Sequence, residues 1–240
     1  MSSPKVFSSF EVVRMSREEI LRLGPEQFRG DMTLPALWHL MEVFGAVWFR
    51  PHDPREPHIA EPNGGCSNGF VDTAQILKYP NLRALFARLL VRRLRSKYHR
   101  SVIEWVASSN RGESAAIASA VAECLSVAED DRHRTRIWKP SLRVHPGEVV
   151  LQVEDQVADV SALQGVRNEM RASGLYQPDY VPFVLAIVRC HGVDEFGNVP
   201  ILHLVHYNIR TWTEEECPYC QGGTSERIEL DQRDRLPGSA

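Results

Sequence analysis

Along this chain, short runs of apolar, β-favouring residues alternate with segments whose apolar positions recur every three or four residues. From Ser16 to Leu23 and from Leu34 to Phe49 the spacing is helical, and Ser16 with Glu19 forms a capping box at the first start. The stretch "RPHDPREPHIAEPNGGCSNGFVD" then concentrates Pro, Gly, Asn and Asp, which predicts a loop-rich connection able to approach a ligand. In "YPNLRALFARLLVRRLRSKYH" Pro80 stands near the start of an amphipathic helix, with leucines and Phe86 on one face and arginines on the other. A β-like run from Val102 to Ala107 passes through a polar turn into an Ala-rich helix from about Glu113. The same order of strand, loop and helix recurs in "GEVVLQVEDQVADVSALQGVRNEM", Gly147 to Met170. Two more apolar runs, "VPFVLAIVRC" from Val181 and "VPILHLVHY", follow.

Apolar strands separated by helices predict an α/β fold with a mainly parallel sheet, in which ligands bind beyond the carboxyl ends of the strands. A chain of 240 residues buries a substantial core without disulfide staples. The final "TSERIELDQRDRLPGSA" is polar and charged, and predicts a loose tail.

Charge narrows the partners. A net charge of -3 and a pI near 6.3 give no footprint for nucleic acid or an anionic membrane. The five cysteines are odd in number and scattered, unlike a secreted disulfide framework, so a reducing cytoplasm is the expected setting. The N-terminal "MSSPKVFSSFEVVRM" lacks an apolar signal core, and no window approaches the roughly 18 apolar residues of a membrane span.

The chemistry concentrates where "VVLQVED" ends in two adjacent carboxylates, Glu154 and Asp155, with a short loop leading into a helix. Four segments, in this order, carry a resemblance: "GGCSNGFVD" with "YPNLRALFARLL", "WVASSNRGESAAIASAVAECL", "VHPGEVVLQVEDQVADVSAL", and "IRTWTEEECPYCQGG". Together they resemble the type I phosphoribosyltransferases, and within them the orotate phosphoribosyltransferase-like group, over roughly Gly64 to Gly222. The resemblance implies a five-stranded, mainly parallel sheet flanked by helices. It also implies a helical extension over residues 1–60, a core over 61–222 and a flexible tail over 223–240, extension and tail acting as a hood. The implied activity, in nucleotide metabolism, is transfer of ribose 5-phosphate from phosphoribosyl pyrophosphate, held with magnesium, to a nucleobase. The implied assembly is a homodimer.

In that frame Glu154 and Asp155 face the ribose hydroxyls and a hydrated magnesium shell, and favour the positive charge developing at the sugar carbon. Ordinary acids at an exposed strand end are the alternative. The loop afterwards, Ala158, Asp159, Val160, Ser161 and Ala162, matches the family's glycine- and threonine-rich cradle for the 5-phosphate, yet keeps only the Ser161 hydroxyl. Val160 is poorly suited to a positive φ, and Asp159 opposes a phosphate dianion. Capping by Asp159, or by Ser161 in a box with Gln164, would put the protein's own carboxylate where a phosphate sits in the family.

The pyrophosphate loop is altered too, to Ser109, Asn110, Arg111 and Gly112, which can donate to an anion or simply turn into the following helix. Where family members with a short mobile loop carry a Glu-Lys pair, "AEDDRHRTRIWKPSLRVHPGE" has Asp130 at the lysine position. Arg132, Arg134, Arg136 or Lys139 could substitute, or form a solvated face. "CPYC", Cys217 to Cys220, supplies half a tetrahedral zinc site, completed by Cys190, His191, His203, His206 or a second chain, or else is a thiol-burying turn. Two functions remain open: the transferase, and an inactive protein of the same fold that binds a ligand or a partner.

Overall fold

The structure is a computed structural model that describes residues 5–28, 30–50, 56–61, 64–99, 102–109, 112–128, 134–173, 177–190, 192–223 and 226–236. The N-terminal part is helical: α1 (Ser9–Val12), α2 (Arg17–Leu21) and α3 (Leu34–Val43). Short strands follow, β1 (Val47–Phe49), β2 (His58–Ala60), β3 (Cys66–Ser67) and β4 (Gly69–Val71), then α4 (Ala74–Leu77) and α5 (Pro80–Arg95). The central region contains β5 (Trp105–Ala107), α6 (Gly112–Ala128), β6 (Arg136–Ile137), β7 (Val149–Val157), α7 (Ser161–Ser173) and β8 (Asp179–Cys190). It closes with β9 (Glu195–Phe196), β10 (Val199–Tyr207), β11 (Thr211–Trp212), α8 (Pro218–Gln221) and β12 (Arg227–Glu229).

The Ser16–Glu19 capping box forms as expected at the start of α2. The helical segment expected over Leu34–Phe49 is shorter. Gly45 takes φ 63°, a left-handed conformation that its missing Cβ allows. The Gly45 N–H donates to Glu42 O at 2.9 Å and the Ala46 N–H to Met41 O at 2.8 Å. This paired closure ends the helix, and the β-branched and aromatic Val47, Trp48 and Phe49 continue as β1.

The main sheet runs β6-β5-β7-β8-β10-β9. The first five strands are mutually parallel and β9 adds an antiparallel edge. Around Pro182, which has no N–H for the ladder, the register of β8 against β7 shifts between Val150 and Gln152. Along β7, Val149, Leu151 and Val153 face the cluster that holds α5 and α6, while Val150 faces Val166 and Met170 of α7. Residues of α1 to α3 belong to the same buried cluster as α5 and α6, so the N-terminal helices are part of one core.

A second sheet runs β11-β3-β2-β12, and the β1-β4 pair bridges to it: Val47 belongs to the main core, whereas Trp48 and Phe70 pack with Ile59 of β2. β12 runs parallel to β2, with Ile228 opposite Ile59. Of the C-terminal stretch expected to be loose, residues 226–236 are therefore packed. Ile228 and Leu236 are buried with Trp48, Ile59 and Phe70, two apolar side chains sufficing where a strand edge is ready to receive them. Among the described residues, no helix is long and apolar enough to cross a membrane.

Candidate active site

In the main sheet β5 leads through α6 to β6 on one side, whereas β7 leads through α7 to β8 on the other. Loops leaving adjacent strands in opposite directions open a crevice at their carboxyl ends. A cleft of about 310 Å³ lies there, between β7, the turn after β4, and the starts of α6 and α7. Asp72, Glu113, Glu154, Asp155 and Asp159 line it, and among the described residues no lysine or arginine does.

Glu154 and Asp155 are neighbours on a strand, so they turn to opposite sides of the sheet. Glu154 is 1% exposed. The Ser109 backbone N–H donates to its Oε1 at 2.8 Å and the Ser109 hydroxyl to its Oε2 at 2.6 Å. Asp155 turns toward α6 and α4, where the Thr73 hydroxyl donates to Oδ2 at 2.5 Å and the Ser114 hydroxyl donates to Oδ1. Three hydroxyls thus hold the two acids, and all of these residues line the cleft.

Burial pushes the Glu154 carboxyl above its ordinary range, and the Asp155 charge adds to this, while hydrogen bonds from Ser109 and Ser114 act in the opposite direction. A carboxyl raised in the folded state binds its proton more tightly there than in the unfolded chain. Its contribution to stability is complete below the unfolded value of 4.5 and is lost as pH rises through the higher folded value. The Glu154→Gln variant is expected to lack that fall in stability above pH 4.5, read from denaturant unfolding across the pH range. An unchanged pH profile would mean that Glu154 binds its proton equally tightly in the folded and unfolded chain.

In the loop after β7, the Asp159 Oδ1 accepts the Ser161 N–H at 2.6 Å, placing a carboxylate at the α7 N-terminus. Ser161 is the first helical residue, and the Gln164 N–H donates to Val160 O. The Gln164 side chain bonds Asn168, so the expected Ser161–Gln164 box does not form. Val160 is exposed and turned from the cleft, whereas Ala158 and Ala162 line it. Among the described non-glycine residues only Asn198 has positive φ, so the loop reaches α7 without the left-handed conformation a glycine would permit.

Ser109 spends both its donors on Glu154, Gly112 begins α6, and Asn110 and Arg111 lie outside the described residues, as do Asp130, Arg132 and His191. Arg136 is committed elsewhere, bonded to Glu148 and stacked on Trp105 at 3.8 Å. Arg134 and Lys139 are exposed and do not line the cleft.

Cys217 and Cys220 converge with His58 and Cys66, not with the expected Cys190, His203 or His206. The ladder pairs β3 with β11 and β2, which brings residues from the loop-rich connection to the Cys-Pro-Tyr-Cys turn. Cys190 instead accepts from the Gln156 amide. Sequence reasoning also missed Thr73, Ser114, Asp72 and Glu113. Asp72 ends the quoted "GGCSNGFVD" and Thr73 directly follows it, while Glu113 and Ser114 follow the pyrophosphate loop within its quoted segment, so only their place in or beside recognised segments marked them.

No protein-family model matches the chain. It is 26% identical over 166 residues to the orotate phosphoribosyltransferase of Caldanaerobacter subterraneus, covering 69% of this chain and 84% of that protein. The match to the orotate phosphoribosyltransferase of Heliobacterium modesticaldum is 29% over 173 residues, covering 70% and 86%. Its fold is that of the orotate phosphoribosyltransferase from Aeropyrum pernix, with a TM-score of 0.52 at 16% identity over 71% of this chain and 93% of that one. In sequence and fold the chain is orotate phosphoribosyltransferase-like.

Proposed function

We propose that this protein transfers ribose 5-phosphate from phosphoribosyl pyrophosphate to a pyrimidine base, with the donor in the cleft at the end of β7. One observation carries the reading: an acid pair lies near the carboxyl end of the central parallel strand, one short loop from a helix N-terminus. Similarity to orotate phosphoribosyltransferases over about 70% of the chain supports it.

In this reading Glu154 and Asp155 exchange the hydroxyls of Ser109, Thr73 and Ser114 for those of the ribose. The exchange costs little, because one hydroxyl donor replaces another. A negative pair beneath the sugar then favours the charge that develops as pyrophosphate departs. The Ser161 hydroxyl faces the 5-phosphate at the α7 N-terminus, whose first amide is held by Asp159.

Five carboxylates around a polyanionic donor repel it unless a cation intervenes. The donor set fits magnesium, which binds through one or two carboxylates plus substrate phosphates and keeps its waters. Asp155, only half-buried, and Glu113 both line the cleft and would hold its hydrated shell. When bound, magnesium would neutralise charge on the pyrophosphate.

Titration calorimetry with phosphoribosyl pyrophosphate is expected to give heat at micromolar to millimolar donor when Mg²⁺ is present and none without it. Added orotate or uracil is then expected to yield a nucleotide. No heat at millimolar donor with Mg²⁺ overturns the donor site, and heat without nucleotide for either base leaves a binding protein of this fold.

A further inference from the structure

The Cys-His cluster lies outside the cleft and has no part in the chemistry proposed there. We propose that His58, Cys66, Cys217 and Cys220 bind one structural zinc ion that clamps the C-terminal segment to the β2-β3 hairpin. Their ligand atoms all lie within 4.8 Å of one another. Cys66 Sγ and Cys220 Sγ are 3.6 Å apart, and Cys220 Sγ and His58 Nε2 are 3.3 Å apart. Zinc bonded tetrahedrally to thiolate and imidazole requires S···S near about 3.8 Å and S···N near about 3.5 Å. These edges match a tetrahedron within a few tenths of an ångström, whereas a disulfide would bring two sulfurs to about 2.05 Å.

Three separate stretches deliver the ligands, with separations of 154 and 162 residues between contacting pairs. Cys217 caps α8 and Pro218 occupies its first turn, so Cys217 and Cys220, three apart, face the same side. Cys66 sits opposite Trp212 in the β3-β11 ladder. Trp212 meets the Tyr219 ring at 5.5 Å, and Tyr219 meets His58 at 5.4 Å. This aromatic wall gives Trp212 and Tyr219 a role independent of catalysis: they shield the sulfurs from water. His58, Cys66 and Cys217 are 0% exposed.

The charges are complementary as well. Three thiolates and one zinc leave a net negative charge, and the Arg50 guanidinium, 4.2 Å over the Tyr219 ring, and Arg227, held by Glu214 at 2.7 Å, stand beside the cluster. All five cysteines are free, so no disulfide competes for these sulfurs.

The inference does not rest on phosphoribosyl transfer, and its test uses no donor. Full-length protein without a histidine tag is expected to contain about one zinc per chain by elemental analysis. The zinc should be released by a thiol-blocking mercurial, and Co²⁺ exchanged into its place should give the visible absorption of a tetrahedral thiolate site. Cys217→Ser with Cys220→Ser should lower zinc below a tenth per chain. Should that variant fail to fold, mercurial release and cobalt exchange on the unaltered protein still decide. The proposal is overturned by metal below a tenth per chain after anaerobic reconstitution with Zn²⁺, by iron in place of zinc, by zinc retained in the double variant, or by a Cys66–Cys220 disulfide in freshly purified protein.

Discussion

The double substitution Asp159→Thr, Val160→Gly is expected to tighten binding of phosphoribosyl pyrophosphate with Mg²⁺ by about two to five orders of magnitude. The Asp159 carboxylate occupies the α7 N-terminus through its bond to the Ser161 N–H. A phosphate dianion brought there meets a like charge at about 5 Å, a repulsion of roughly 3 to 7 kcal/mol at an effective dielectric of about 20 to 40. Threonine removes the charge and restores a hydroxyl. Glycine at 160 opens the backbone conformation that the loop does not adopt with valine. Calorimetric titration of both proteins at one ionic strength measures the difference. Equal affinities would show that no phosphate group reaches the α7 N-terminus.

The second large effect is best read in that tightened background. There Glu154→Ala with Asp155→Ala is expected to weaken donor binding by about two to four orders of magnitude, from two hydrogen bonds to charged groups at about 1.5–3 kcal/mol each. The sign is the informative part. If the acids bind ribose hydroxyls, their loss weakens the donor complex. If they merely add to the negative field of the cleft, their loss relieves repulsion and the donor binds tighter. The second outcome would refute the donor site even though both variants changed affinity. Glu154→Gln with Asp155→Asn keeps the shape of the pair, and circular dichroism on each variant checks that Ser109, Thr73 and Ser114 have not dragged the loops out of place.

What the sequence reveals of this molecule is what depends on near neighbours. The apolar run ending at Glu154 and Asp155 identifies the central strand, and Ser16 with Glu19 identifies a helix start, because both signals sit within a few residues. Phe49 illustrates a local failure: its spacing suits a helix, but Gly45 ends α3 four positions earlier. Distance along the chain hides the rest. Nothing around His58 or Cys66 announces a partner, since their meeting with Cys217 and Cys220 depends on strand pairing across more than half the chain. β12 escapes notice for a similar reason. Ile228 lies between Arg227 and Glu229, and only the waiting edge of β2 makes it a core position.

The pairing of β2 with β12 and of β3 with β11 also orders events during synthesis. Cys66 leaves the ribosome 154 residues before Cys220, which at about 5–20 residues per second is an interval of about 8–30 s. During that interval the β2-β3 hairpin has two open edges, the kind of surface on which nascent chains stick to one another. β2 has three residues and β3 has two, too few to template a foreign strand. The brevity of these strands limits how much of either edge a foreign strand can pair with before β11 and β12 arrive.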